Sequence, residues 1–239
     1  PGYIMPLVFL EWPAHGDVSL GQAYNLAPFF DRAGDNIYDP YDGDHPLIKG
    51  DQALYFIYND DRDVHMESQS AQLRIEIHGM AYAFNCPADS ALWNTIFLNY
   101  KIINRSANIY DSTYAGIYFD PDIGAYTDDY IGCDVQRGSV YGYNGNPVDG
   151  ASLYSYGENP PAQSMTFLKG PLMDADGLDN SKGGCDASVN GVGFGDGITD
   201  NESLGMTAFI YYSSFGEPSV MDYYNLMKAM WKDSTKMVY

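Results

Sequence analysis

Basic residues are scarce in this chain. Its 239 residues include 12 Lys and Arg against 32 Asp and Glu, a formal charge of −20. Such a surface repels phosphate backbones and anionic lipid, which excludes nucleic-acid binding. Cysteine is scarce too. Cys86, Cys133 and Cys185 are too few for a disulfide scaffold, and none stands in a CxxC or at zinc-ligand spacing. They allow a single bridge, from three pairings, or buried free thiols. No apolar run approaches the ~20 residues that span a bilayer, so direct membrane insertion is not expected. An initiator Met and a signal peptide are both lacking, and the chain reads as part of a longer polypeptide.

Catalytic signatures are equally thin. There is no HExxH, P-loop, GxGxxG or GxSxG, since Gly138-Ser139-Val140-Tyr141-Gly142 has the wrong spacing. The four histidines, His15, His45, His65 and His78, are scattered. Glu76 and His78 share a strand face and make an acid/base pair on paper, but such pairs are more often cross-strand polar networks. A glycosidase needs two carboxyls ~5–10 Å apart in a cleft, and no pair among the acids is singled out by spacing. Trp12, Trp93 and Trp231 offer rings that stack on sugars, a role rarer than packing.

What is abundant points to β-structure. Hydrophobic residues make up 45%, with 22 Tyr and 11 Phe, enough for a core, and 25 Gly with 13 Pro suit tight turns between strands. Residues 73–84 (LRIEIHGMAYAF) and 94–105 (NTIFLNYKIINR) alternate with a period of two over ten or more positions, which predicts long antiparallel strands joined through 85–92. Residues 53–58 (ALYFIY) read as a buried strand. Shorter strands are expected at 112–119, 139–143, 152–156, 164–168 and 206–212. Pro218 begins a helix whose stripe is Tyr223, Leu226, Met227, Met230 and Trp231. The expected fold is a mostly-β, antiparallel β-sandwich-like domain with long Asp/Gly-rich loops and one C-terminal helix. It is a single module over 1–239, with a subdivision allowed near 170–205.

The acids gather in loops. Ca²⁺ takes six to eight hard oxygens, which Asp and Asn at alternate positions supply while Gly lets the backbone curl round the ion. Four clusters follow this pattern. The first is Asp31, Asp35 and Asp39, running on to Asp42 and Asp44, and the second is Asp120, Asp122, Asp128, Asp129 and Asp134. The third is Asp174, Asp176 and Asp179, and the fourth is Asp196 and Asp200 with Glu202. The third comes nearest a calcium loop, with D-x-D-G-x-D-N spacing. It is no EF-hand, because Cys185 stands where the bidentate Glu belongs. Turn-forming is the competing role for every one of these residues.

Runs along nearly the whole chain resemble a group of large proteins exported by the type IX secretion system of Bacteroidota. They include YNLAPFFDRAGDNIYDP (24–40), DGDHPLIKGDQALYFIYND (42–60), EIHGMAYAFNC (76–86), DPDIGAYTDDYIGCD (120–134), VYGYNGNPVDG (140–150) and DYYNLMKAMWKDS (222–234). The resemblance implies a cell-surface or released component with further modules and a sorting domain, and it transfers no catalytic residues. Similar proteins read D-x-D-G-x-D-N-D-x-D-G in the third loop. Here that loop departs after Asp179-Asn180.

The resulting expectation is an extracellular, Ca²⁺-stabilised structural or adhesive module of a secreted bacterial surface protein. Its partners would be other modules of its own chain, a glycan or protein surface, or further copies of itself. A polysaccharide-active hydrolase and a filament subunit are the alternatives.

Overall fold

Alternating side chains lay down the first sheet. In the computed structural model, which describes residues 2–66, 70–150, 153–173, 175–181, 190–211 and 219–237, the two strongly periodic segments are strands β4 (Ile75–Ala83) and β5 (Ile96–Asn104). Strand β3 (Gln52–Asn59) pairs with the other edge of β4, giving an antiparallel sheet in the order β3-β4-β5. It is preceded by a two-stranded ribbon, β1 (Phe29–Phe30) with β2 (His45–Pro46). A second three-stranded sheet follows, β6 (Asp129–Asp134), β7 (Ser139–Asn144) and β8 (Ala162–Thr166), again antiparallel and in chain order. Helices are short: α1 (Leu7–Leu10), α2 (Ser90–Trp93) and α3 (Val220–Met227). The fold is mostly β, as expected.

The chain divides into two compact units, Pro1–Tyr110 and Asp111–Tyr239, and the Gly/Asp-rich region near 170–205 lies inside the second. In the first unit, one face of the β3-β4-β5 sheet carries Tyr55, Glu76, His78, Met80, Tyr82 and Phe97. The segment before β1 is layered on it in a sandwich-like way. Trp12 packs at 5.9 Å from the ring of Tyr55 and sends its Nε1–H to Pro28 O at 3.0 Å, while Ala14 and Ala27 are buried beneath. His78 and Met80 are the buried centre of this face. The opposite face is built from Leu54, Phe56 and Tyr58 on β3, Gly79, Ala81 and Ala83 on β4, and Ile96, Leu98, Tyr100 and Ile102 on β5. It is the more apolar of the two, yet it is open: Leu54 is 65% and Ile96 70% exposed.

Several local expectations are corrected. Residues 112–119 and 153–156 form no ladder, and 206–211 contribute only an isolated bridge at Met206; the ends Ser152 and Tyr212 lie outside the described residues. The β4–β5 connection contains a turn of helix, α2, because Asp89 accepts from the N–H groups of Ala91 and Leu92. Helix α3 starts at a Ser219–Asp222 capping box and stops at Lys228, so Met230 and Trp231 fall beyond it. Pro218 and Cys185 lie outside the described residues. Cys86 and Cys133 are free thiols.

Candidate functional site

In the first acidic loop the carboxylates are consumed by the backbone. Asp31 takes the N–H groups of Gly34 (2.6 Å) and Asn36 (2.7 Å), Asp35 that of Ile37, and Asp39 that of Tyr41. Asp44, only 4% exposed, is the staple: its two oxygens accept from Arg32 N and Asp39 N, both at 2.9 Å. Those two N–H groups hold its carboxyl below the usual range. This loop closes on its own donors, with Asp31, Asp35 and Asp39 each accepting backbone N–H groups. The signature of a metal loop and of nested Asx turns is the same in sequence, and these hydrogen bonds are those of Asx turns.

The third and fourth clusters come together in the second unit. Asp179 accepts from Gly195 and Gly197 N–H, each at 2.7 Å; Asp200 accepts from Gly177 N and Glu202 from Asn180 N. Asp176 takes Leu178 N and the Asn180 amide, and Asp196 takes Ile198 N and the Asn201 amide. Residues some twenty positions apart are thereby laced into one acidic bed, closed by Ser203 bridging to Leu172 and Val192. Asn201 Oδ1 and Ser203 Oγ are buried without a hydrogen-bond partner. Asp174 lies outside the described residues.

The second cluster splits. Asp120 accepts from the Tyr118 hydroxyl and Asp122 is exposed, whereas Asp134 caps the turn before β7 and pairs with Arg137, which lowers its carboxyl's affinity for protons. Asp128 and Asp129 sit where the chain enters β6. Asp129 Oδ2 accepts from Ile123 N at 2.7 Å and Asp128 Oδ2 from the Asn146 amide at 3.1 Å, but the Oδ1 atom of each is buried with no partner. A residue absent from the sequence expectation organises this loop. Asp149, 3% exposed, accepts from Ala125 N (3.0 Å), the Asn144 amide (3.3 Å) and Tyr156 N (2.5 Å). Gly124 beside it has φ +70°, and a Cβ there would collide with Asp149 Oδ2.

Among the described residues, no three or more His, Cys, Asp and Glu side chains are arranged to hold a metal ion. The fit to Ca²⁺ is therefore partial. Asp128 and Asp129 each offer a buried anionic oxygen that lacks a donor, an arrangement costing about 1–3 kcal/mol per unsatisfied atom. Backbone carbonyls and water would have to complete any shell.

The Glu76–His78 pair is an internal network. His78 Nε2 donates to Glu76 Oε1 at 2.7 Å, since a carboxylate only accepts, and the Arg105 guanidinium donates to the same oxygen at 2.7 Å. On the other side His78 Nδ1 lies 2.8 Å from the Tyr55 hydroxyl, which reaches Leu26 O at 3.1 Å. His78 is 6% exposed and the Glu76 side chain 14%. Burial alone would raise the Glu76 carboxyl, but the hydrogen bonds from Arg105 and His78 outweigh it and hold the group below its ordinary value. Burial, with Glu76 nearby, pushes the Tyr55 phenol up to about 12. These groups fasten the layer before β1 to the sheet rather than face a cleft.

An open depression of about 510 Å³ in the second unit is lined by Arg137, Ser139, Thr166 and Asn190 with Leu168 and Val192. Gln136 also lines it, and of its other polar groups Arg137 pairs with Asp134, Ser139 Oγ with Thr166 Oγ1 at 2.7 Å, and the Asn190 amide with Phe167 O at 2.6 Å. No helix among the described residues is long and apolar enough to cross a membrane. Comparison with protein-family models, with curated proteins and with solved structures finds no match.

Proposed function

We propose that the chain is an extracellular, Ca²⁺-stabilised structural or adhesive module of a secreted bacterial surface protein. The observation that carries the cation is the pair of buried, donorless carboxylate oxygens on Asp128 and Asp129, in a chain of charge −20. A divalent ion beside either one neutralises charge that the protein's own N–H groups leave uncompensated. Extracellular Ca²⁺ modules bind at about 10⁻⁴–10⁻³ M, so even a shell of few carboxylates fills outside the cell. Asn201 Oδ1 and the Asp176–Glu202 bed form a second place where an ion would find acceptors. The role of surface rather than catalyst is supported by Glu76 and His78, whose acid/base chemistry is spent inside a fastening network.

Chelation tests this. EDTA should lower the melting temperature and Ca²⁺ restore it, with a gain of about 2.7 kcal/mol at a hundredfold excess over Kd. Asp128→Asn with Asp129→Asn should remove most of the Ca²⁺ response while leaving the far-UV spectrum intact. A melting curve indifferent to EDTA and Ca²⁺ sinks the cation reading.

A further inference from the structure

The loop between β1 and β2, residues 31–44, folds back on the segment that precedes β1. Tyr38 N–H donates to His15 Nε2 at 2.9 Å, across 23 positions. The other ring nitrogen, Nδ1, lies 3.3 Å from Tyr24 O, which also receives Gly16 N–H at 3.0 Å. A backbone N–H only donates and a carbonyl only accepts, so the two contacts fix one protonation state. Nδ1 carries the proton and Nε2 offers its lone pair. His15 differs in this from the other three histidines. His78 faces Glu76 and the Tyr55 hydroxyl, His65 faces Asp60 and the Ser70 hydroxyl, and His45 faces Gly43 O. Those oxygens accept an added N–H. At His15 an added proton would set two donors against each other at 2.9 Å.

We propose that His15 is a pH-sensitive latch: neutral, it holds the 31–44 loop on the segment before β1, and protonated, it releases the Tyr38 turn. Imidazole is the side chain that changes charge between about pH 5 and 8. The groups around the ring leave the Tyr38 contact as the deciding one. From its own segment the Tyr24 ring stacks on it at 4.4 Å, and from β1 Phe29 meets it edge-on at 5.5 Å. Phenols stay neutral through this range, and burial with Asp44 nearby raises that of Tyr38 further. Carboxylates close in sequence to His15 and Tyr38 are engaged elsewhere: Asp17 with Ser19, Asp39 with Tyr41 N–H, and Asp44 with Arg32 and Asp39 N–H. Among the described residues, the histidines paired with a carboxylate are His65 and His78, so a charge on His15 has no such partner. The closed loop therefore refuses a proton that the open one accepts, and the latch holds at high pH and is lost as pH falls. What opens is local. Trp12 to Pro28 O and Tyr55 to Leu26 O still fasten the segment to the sheet, and Tyr38 Oη to Phe9 O and Tyr24 Oη to Asn36 O are the loop's remaining ties to it.

The latch goes beyond the proposed function and does not rest on it, since neither Ca²⁺ nor an adhesive role enters. The test is NMR of the full chain between about pH 8 and about pH 5, with Ca²⁺ and with EDTA. At the upper end the ring nitrogen shifts of His15 should show Nδ1 protonated and Nε2 bare. As His15 takes up its second proton, the hydrogen-exchange protection of the Tyr38 amide should fall on the order of tenfold or more. That of Met80, buried in the central strand β4, should stay constant over the same range. His15→Gln, which offers an uncharged oxygen where Nε2 stands, should keep Tyr38 protected at both ends. His15→Phe, which keeps the ring stack without the acceptor, should leave Tyr38 unprotected at both. A ring protonated on Nε2 at about pH 8 overturns the proposal. So does Tyr38 protection that ignores pH in the parent, or that still falls with pH in His15→Gln, which would place the sensor elsewhere. Should a variant fail to fold, the ring shifts and the Tyr38 amide of the parent decide alone. A response seen only with Ca²⁺ would belong to the cation loops and overturn the latch. A melting curve blind to EDTA would remove the cation reading and leave this test standing.

Discussion

Replacing Glu76 by Gln should destabilise the first unit at neutral pH and do nothing in acid. Glu76 Oε1 accepts two hydrogen bonds at 2.7 Å, from His78 and from Arg105. A hydrogen bond to a charged group contributes about 1.5–3 kcal/mol. The two are unequal in consequence. The Arg105 side chain is 41% exposed and can turn to water, whereas His78 is 6% exposed and its Nε2–H, aimed at Glu76, cannot. Glutamine keeps one carbonyl and can serve one donor, but without the charge. The net loss is therefore about 2 kcal/mol, set by the buried partner. At about 4 °C per kcal/mol the melting temperature should fall by about 8 °C. The pH dependence supplies the sharper test. Because the folded carboxyl lies below its ordinary value of 4.5, its contribution is fully present above that value. It is lost as pH falls through the lowered one. Urea titrations of parent and variant should thus differ by about 2 kcal/mol at pH 7 and converge as pH falls below the lowered value. A penalty below ~0.5 kcal/mol at pH 7, or one that persists undiminished in acid, would refute the charge-assisted network as the cause.

The same network responds to alkali. With the Tyr55 phenol raised to about 12, its contribution is present below the ordinary 10.0 and is lost as pH rises toward 12, so a stability loss over that window should vanish in Tyr55→Phe, as followed by near-UV circular dichroism. In the second unit, Asp149→Asn should cost about 2–3 kcal/mol, because an amide nitrogen would face one of three donors, and the loss should appear as a lower urea midpoint with unchanged slope. A broad panel of polysaccharides, esters and peptides should give no turnover above background; activity abolished by Glu76→Gln or His78→Ala would promote the hydrolase alternative.

The parts of the structure legible in the sequence are those decided by neighbours along the chain. Residues 73–84 and 94–105 alternate, so β4 and β5 had to be strands, and their polar members Glu76 and His78 had to share a face. Which face would be covered was not legible. Alternation names two sides, and apolarity alone favoured the Leu54–Ile77–Leu98 side. The layer of residues that includes Trp12 and Leu26 chose the other, through the Tyr55 hydroxyl and the indole, contacts made across 29 positions or more. Residues 112–119 are as aromatic as a strand and still have no ladder, because a ladder needs a partner that local composition does not name. The acidic loops show the deepest ambiguity. A carboxylate two or three residues before a Gly-rich bend suits an ion or a backbone N–H equally well. In the first loop the N–H groups of Gly34, Asn36, Ile37 and Tyr41 claim the oxygens. At Asp128 and Asp129 one oxygen each is left over, in the loop that also holds Asp149, a single Asp in an Asn-Pro-Val-Asp-Gly turn. Asp149 takes the donors of Ala125, Asn144 and Tyr156, while Asp128 Oδ1 and Asp129 Oδ1 are left with none. That shortage of donors, rather than the abundance of acids, makes this loop the one where chelation and substitution should act on the same oxygens.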